Sequence, residues 1–131
     1  MSTKREIKEM CYLETLETSV VSVEMILNRL NQIESKKGVF DLNILAKDKA
    51  ITVLDLELSL ATTCILLRKM AENLFITIPE ELRKDLNSII HSNRFEYENE
   101  VVVYSQKGKE EVDLNHLLTF CHSILSFDKL S

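Results

Sequence analysis

The residues of this chain best suited to chemistry lie in the run His91-Ser-Asn-Arg94. A histidine changes charge near neutral pH and a guanidinium holds phosphate oxygens, so the two together suit proton transfer at an anionic substrate. An ordinary loop histidine looks the same, because catalysis needs a second positioned group. A different constellation is Arg68 and Glu72, four residues apart late in an apolar segment. They continue the spacing of Ile51, Leu54, Leu58, Ala61 and Ile65, so periodicity aims both ionisable groups toward the interior, where each would have to satisfy the other. This predicts either a structural ion pair near a helix end or a binding site, with Arg83 as a further candidate binding residue.

Other chemistries are poorly represented. His116 and His122 are six residues apart on the last predicted helix, which puts them on different faces and gives no helical metal pair. Two glycines leave little room for a phosphate-cradling loop, and neither a GxSxG nor an HExxH pattern occurs. No metal and no cofactor is expected. Cys11, Cys64 and Cys121 are widely spaced without a CxxC pair, which fits a reducing, cytoplasmic setting in which they serve as small core residues.

The elements that must position these residues follow from hydrophobic spacing. Leu13, Leu16, Val20, Val23, Leu27 and Leu30 recur at three and four residues, one stripe of a helix over about 4–35, with Lys36-Lys37-Gly38 as its stop. Asp41 is placed to cap a second helix over 41–74, with a kink or restart allowed near Lys47 to Lys49. That helix carries a second stripe, Val53, Leu56, Leu60, Leu67 and Leu74, so most of its circumference is apolar and it belongs at the centre of a bundle. Its apolar core around Ile51 to Leu67 is broken by Asp55 and Glu57, short of the roughly 18 uninterrupted residues of a membrane span. The N-terminal residues show no secretory address.

Ile76-Thr-Ile78-Pro79 interrupts helical geometry, and proline then suits the first turn of a third helix over 79–91, with Glu80 and Glu81 at its positive end and Leu82, Leu86, Ile89 and Ile90 on its buried face. From Arg94 the period changes to two, through Phe95, Tyr97 and the β-branched Val101-Val-Val-Tyr104, giving a hairpin or small meander over 94–112 that turns at Ser105 to Lys109. Asp113 can cap a final helix over 114–126. The expected fold is mainly α: a single domain of about four helices with a β-hairpin inserted before the last.

This order of elements resembles the HEPN superfamily of helical bundles, common in bacterial toxin–antitoxin, abortive-infection and other conflict systems. The resemblance is carried by Leu66-Leu-Arg68-Lys69-Met-Ala-Glu72, by Arg83-Lys-Asp-Leu-Asn-Ser-Ile-Ile-His91, and by the closing helix around Leu117 to Leu125, within a span from Leu42 to Leu125. It implies a metal-independent ribonuclease or a non-catalytic relative of one. Catalytic members place a histidine four to six residues after an arginine; here seven residues separate Arg83 from His91, and only Lys84 stands at six, with an ammonium in place of the fork-shaped guanidinium. The resemblance therefore implies a non-catalytic member, or one that uses His91 with Arg94 or Arg68.

The formal net charge of −5 repels a phosphate backbone and does not favour RNA, while short basic clusters such as Lys36-Lys37 and Arg83-Lys84 have acidic neighbours. Three functions remain. The first is a small acidic protein-binding or regulatory module of a bacterial or phage conflict system, such as an antitoxin, immunity protein, inhibitor or defence subunit, partnered by another protein or by itself as a homodimer. The second is a HEPN-type ribonuclease using His91 with Arg94, Arg68 or Arg83. The third is a small-molecule or nucleotide pocket at Arg68 and Glu72.

Overall fold

A computed structural model describes residues 4–36 and 42–130. The elements run α1 (Lys4–Ser35), α2 (Leu42–Leu74), α3 (Glu80–Ile90), β1 (Arg94–Tyr97), β2 (Val101–Ser105), β3 (Gly108–Val112) and α4 (Leu114–Leu130). This is the expected mainly α bundle with β structure ahead of the last helix. The expected cap Asp41 and the stop at Lys37-Gly38 lie outside the described residues. α2 is continuous, without a restart at Lys47 to Lys49.

α1 and α2 make the most extensive contact in the molecule. They run antiparallel: Lys8 Nζ donates to Asn73 Oδ1 at 2.9 Å, the Ser19 and Thr63 hydroxyls hydrogen-bond each other, and Arg29 lies 3.9 Å from Asp48. Leu16, Val20, Val23 and Leu30 of α1 are buried as the spacing requires, with Leu27 at the margin of the core. Opposite them α2 buries Leu56, Leu60, Cys64, Leu67 and Met70. Thr63 also donates to Ser59 O at 2.9 Å, so its buried hydroxyl is satisfied both along and across the helix pair.

The stripe of α2 that begins at Ile51 has a different fate. Ile51, Leu54, Leu58 and Ile65 are 50%, 52%, 59% and 44% exposed, so α2 is a boundary helix, and its expected place at the bundle centre is wrong. By length and composition Asn43–Leu74 suffices to cross a membrane, yet only 33% of its most apolar window is buried within the protein. A core helix would be mostly buried. The periodicity correctly placed these residues on one side, but covering that side takes another element, and the described residues supply none.

Pro79 is the N-cap of α3 and not its first helical residue, and His91 is the C-cap and not its last. Leu82, Leu86 and Ile89 seat α3 against the core. The β insertion is a three-stranded antiparallel meander, one strand more than a hairpin, in the order β1-β2-β3. The added strand arises because Asn99 (φ 66°) turns the chain between β1 and β2, and Gln106-Lys107 turn it again before Gly108 (φ 110°), whose left-handed backbone suits glycine. On the inner face Phe95 pairs with Val103 and Tyr97 with Val101, and those valines pair in turn with Glu110 and Val112. Asp113 Oδ1 accepts from His116 N at 3.1 Å and so caps α4, which extends four residues beyond the expected 126. α4 contributes Leu117, Cys121 and Leu125 to the core.

Candidate functional site

His91 follows the last turn of α3, held by donation of its backbone N–H to Asn87 O at 3.0 Å. Its exposed side chain lines a cleft of about 410 Å³ with Asn87, Ser88, Asn93, Ser105 and Lys107. Arg94 is not among the lining residues. Its guanidinium pairs with Glu96 and stacks 4.9 Å from the Tyr104 ring centre, while the Tyr104 hydroxyl donates to Glu96 at 3.3 Å. The expected His91–Arg94 couple is thus split: the sheet draws the arginine into a cross-strand cluster, and Lys107 is the cation that faces the histidine's cleft.

Arg68, Glu72 and Arg83 do meet, in a second cleft of about 470 Å³ where the end of α2 faces α3, with Phe75, Thr77 and Asn87. All three ionisable groups are exposed, so the expectation that Arg68 and Glu72 point into the bundle is corrected. The stripe they continue is the outward one, and among the described residues no ion pair joins them. Asn87 lines both clefts. Phe75, 79% exposed with φ 57°, ends α2 in the left-handed region usually taken by glycine, at a cost of about 1 kcal/mol.

The outer face of α2 connects to this second cleft. Counting heptads from Ile44, the a and d positions read Ile44, Lys47, Ile51, Leu54, Leu58, Ala61, Ile65, Arg68 and Glu72. Ile51 to Ile65 alone spans about 21 Å of helix at 1.5 Å per residue. The sequence held the signal, a 3-4 spacing on two sides of one helix, but two apolar sides also describe a fully buried helix.

One ionisable cluster was missed. Glu110 sits on the core-facing side of β3, directly across from buried Val103, and accepts a hydrogen bond from Ser88 Oγ of α3. Asp85 lies beside it. Burial, then the hydrogen bond and negative charge of Glu110, push the Asp85 carboxyl up to about 6, with His116 opposing the shift. The available signal was spacing: Asp85 stands three residues after Leu82 and four before Ile89, on the buried side of α3.

His122 Nε2 lies 2.5 Å from Glu24 Oε1, tying α4 to α1. Cys64 and Cys121 are buried, and burial raises both thiols, Cys121 to about 12, which leaves them un-ionised and poor nucleophiles at neutral pH. Cys11, expected in the core, is exposed because it falls outside the Leu13–Leu16–Val20 stripe. Among the described residues no group of three His, Cys, Asp or Glu side chains could hold a metal ion. No protein-family model matches this chain, and no match was found in comparisons with curated proteins or with solved structures.

Proposed function

We propose that this chain is a small acidic protein-binding and regulatory module that docks a helical partner along the outer face of α2. The observation that carries this reading is the exposure of Ile51, Leu54, Leu58 and Ile65 on one side of a single continuous helix. Each is about half exposed, so covering it contributes about 1 kcal/mol, and the four together can offset part of the cost of association. A row of regularly spaced apolar side chains on a rigid helix is what helix-in-groove and coiled-coil recognition require. The resemblance to HEPN bundles supports a setting in a bacterial or phage conflict system, where such a module would serve as an antitoxin, immunity protein, inhibitor or defence subunit, in the cytoplasm.

The test is capture of partners by the purified protein in parallel with Leu54→Gln/Leu58→Gln. A partner retained by the wild type and lost by the variant, with unchanged circular dichroism, is the expected result. Equal capture by both overturns the reading.

A second reading is favoured by one observation: His91 and Lys107 share a cleft of about 410 Å³. As a ribonuclease, the protein would use His91 for proton transfer and Lys107 for phosphate charge, with Arg94 withdrawn to Glu96. RNA cleavage in the presence of a chelator, compared between wild type and His91→Ala, decides it. Matching rates eliminate this mechanism.

A further inference from the structure

The outer face of α2 carries a charge pattern as well as an apolar one. In the heptad frame from Ile44, the e positions that flank the seam are Asp48, Asp55, Thr62 and Lys69. Acid thus lies toward the N-terminal end and base toward the C-terminal end. Within the seam Lys47 stands at one end and Glu72 at the other. Asp48 has a neighbour in its own chain, Arg29, but at 3.9 Å and about half exposed that pair leaves the carboxylate open to a further cation.

The seam could pair with a second copy in two orientations, and charge separates them. In a parallel pair like meets like: Lys47 with Lys47, Arg68 with Arg68, Glu72 with Glu72. In an antiparallel pair, one register sets Leu54 against Ile65, Leu58 against Ala61 and Lys47 against Glu72, with Asp48 flanking Lys69. Each of these contacts occurs twice by two-fold symmetry. The register shifted by one heptad instead sets Leu54 against Leu58 and Asp55 against Asp55. Of these arrangements the first antiparallel register matches the apolar and charged residues best, with Ile51 packed against the aliphatic stem of Arg68.

We infer that the occupant of the outer face of α2 is a second copy of this chain, packed antiparallel with Leu58 near the two-fold axis and Asp48 beside Lys69 of the other copy. The inference rests on the docking reading of α2 and supplies its partner. The seam is short and each apolar residue is already half covered, so the dimer is a weak one, with a Kd on the order of micromolar.

Sedimentation of the full chain at a series of concentrations tests this. The wild type should dimerise, and Leu58→Glu should remain monomeric with unchanged circular dichroism. Asp48→Lys should weaken the dimer about tenfold by placing like charges together twice, and so should Lys69→Glu, while the double exchange Asp48→Lys/Lys69→Glu should return to wild-type affinity. A spin label at Ala50→Cys in a Cys11→Ser background reads orientation. Antiparallel packing separates the two labels by about 28 Å along the helices, whereas parallel packing sets them side by side.

A dimer insensitive to Leu58→Glu, a short Ala50 label distance, or no recovery in the double exchange overturns the inference. A chain that stays monomeric at about 100 μM also overturns it. If such a monomer still captures a partner through Leu54 and Leu58, the docking reading survives with a different protein as occupant. If it instead floats with anionic phospholipid vesicles in a Leu58-dependent way, the occupant is a bilayer surface and both readings fall.

Discussion

The two sides of α2 have nearly the same chemistry and opposite environments. Leu56, Leu60 and Leu67 are packed to near-zero exposure against α1 and the rest of the core, while Leu54, Leu58 and Ile65, one helical face away, stand about half open. Hydrophobicity therefore does not decide which side is core. The number of partner elements decides it, because α1, α3 and the sheet contact only one side of the helix. The inner side holds the fold together, and the outer side is surface available for association.

The comparison is sharpest in stability. Leu60→Ala leaves a hole in the buried cluster that α2 shares with α1 and should cost about 2–5 kcal/mol in urea unfolding. Next in size is the hydroxyl pair that joins the same inner side to α1. Ser19→Ala removes the cross-helix partner of Thr63 and should cost about 1–2 kcal/mol, whereas Ser19→Ala/Thr63→Val, which leaves no polar atom behind, should cost less than the sum of its parts. Additive losses would show that the two hydroxyls are not coupled.

The sequence made the helices, their order and most of the inner core legible, because the 3-4 spacing of Leu16, Val20 and Val23 has only one structural meaning once a partner helix exists. It misdirected where meaning depends on what lies opposite. Arg68 and Glu72 continue the stripe of Ile51 to Ile65, so they share its orientation, and that orientation is outward. The sheet hid its own chemistry for the same reason. Glu110 reads as one acid among three in Lys109-Glu-Glu-Val-Asp113, and only the register that places it across from Val103 turns it toward α3. The split of His91 from Arg94 is likewise a matter of alternation, since β1 pairs Arg94 with Tyr104.

That inward carboxylate gives a pH test of the second buried boundary, between α3 and β3. The Asp85 carboxyl is raised to about 6 in the folded protein, so folding favours its protonated form. Its contribution is fully present below the ordinary carboxylate range, near pH 4, and is lost as pH rises through about 6. Asp85→Asn keeps a donor toward Glu110 without the charge. It should raise stability at pH 7.5 by about 1 kcal/mol, a figure reduced for the partial exposure of the site, and flatten the slope between pH 4.5 and 7. Unfolding midpoints measured across that range would show an unchanged slope if Asp85 were not the responsible group.

The smallest effect belongs to the outer side, and it completes the comparison with Leu60. Leu58 is two residues away on the same helix and has the same side chain, so helix propensity and chain entropy are matched between the two positions. At protein concentrations well below any dimerisation, Leu58→Ala should shift unfolding by no more than about 0.5 kcal/mol, because the lost methyl groups already face water and alanine is the better helix former. Raising the concentration should then separate wild type from variant, since only the wild type gains stability by mass action when its outer face is covered. A Leu58→Ala loss equal to that of Leu60→Ala at low concentration would mean that this side of α2 is already closed within the monomer, and that the distinction between its two faces is false.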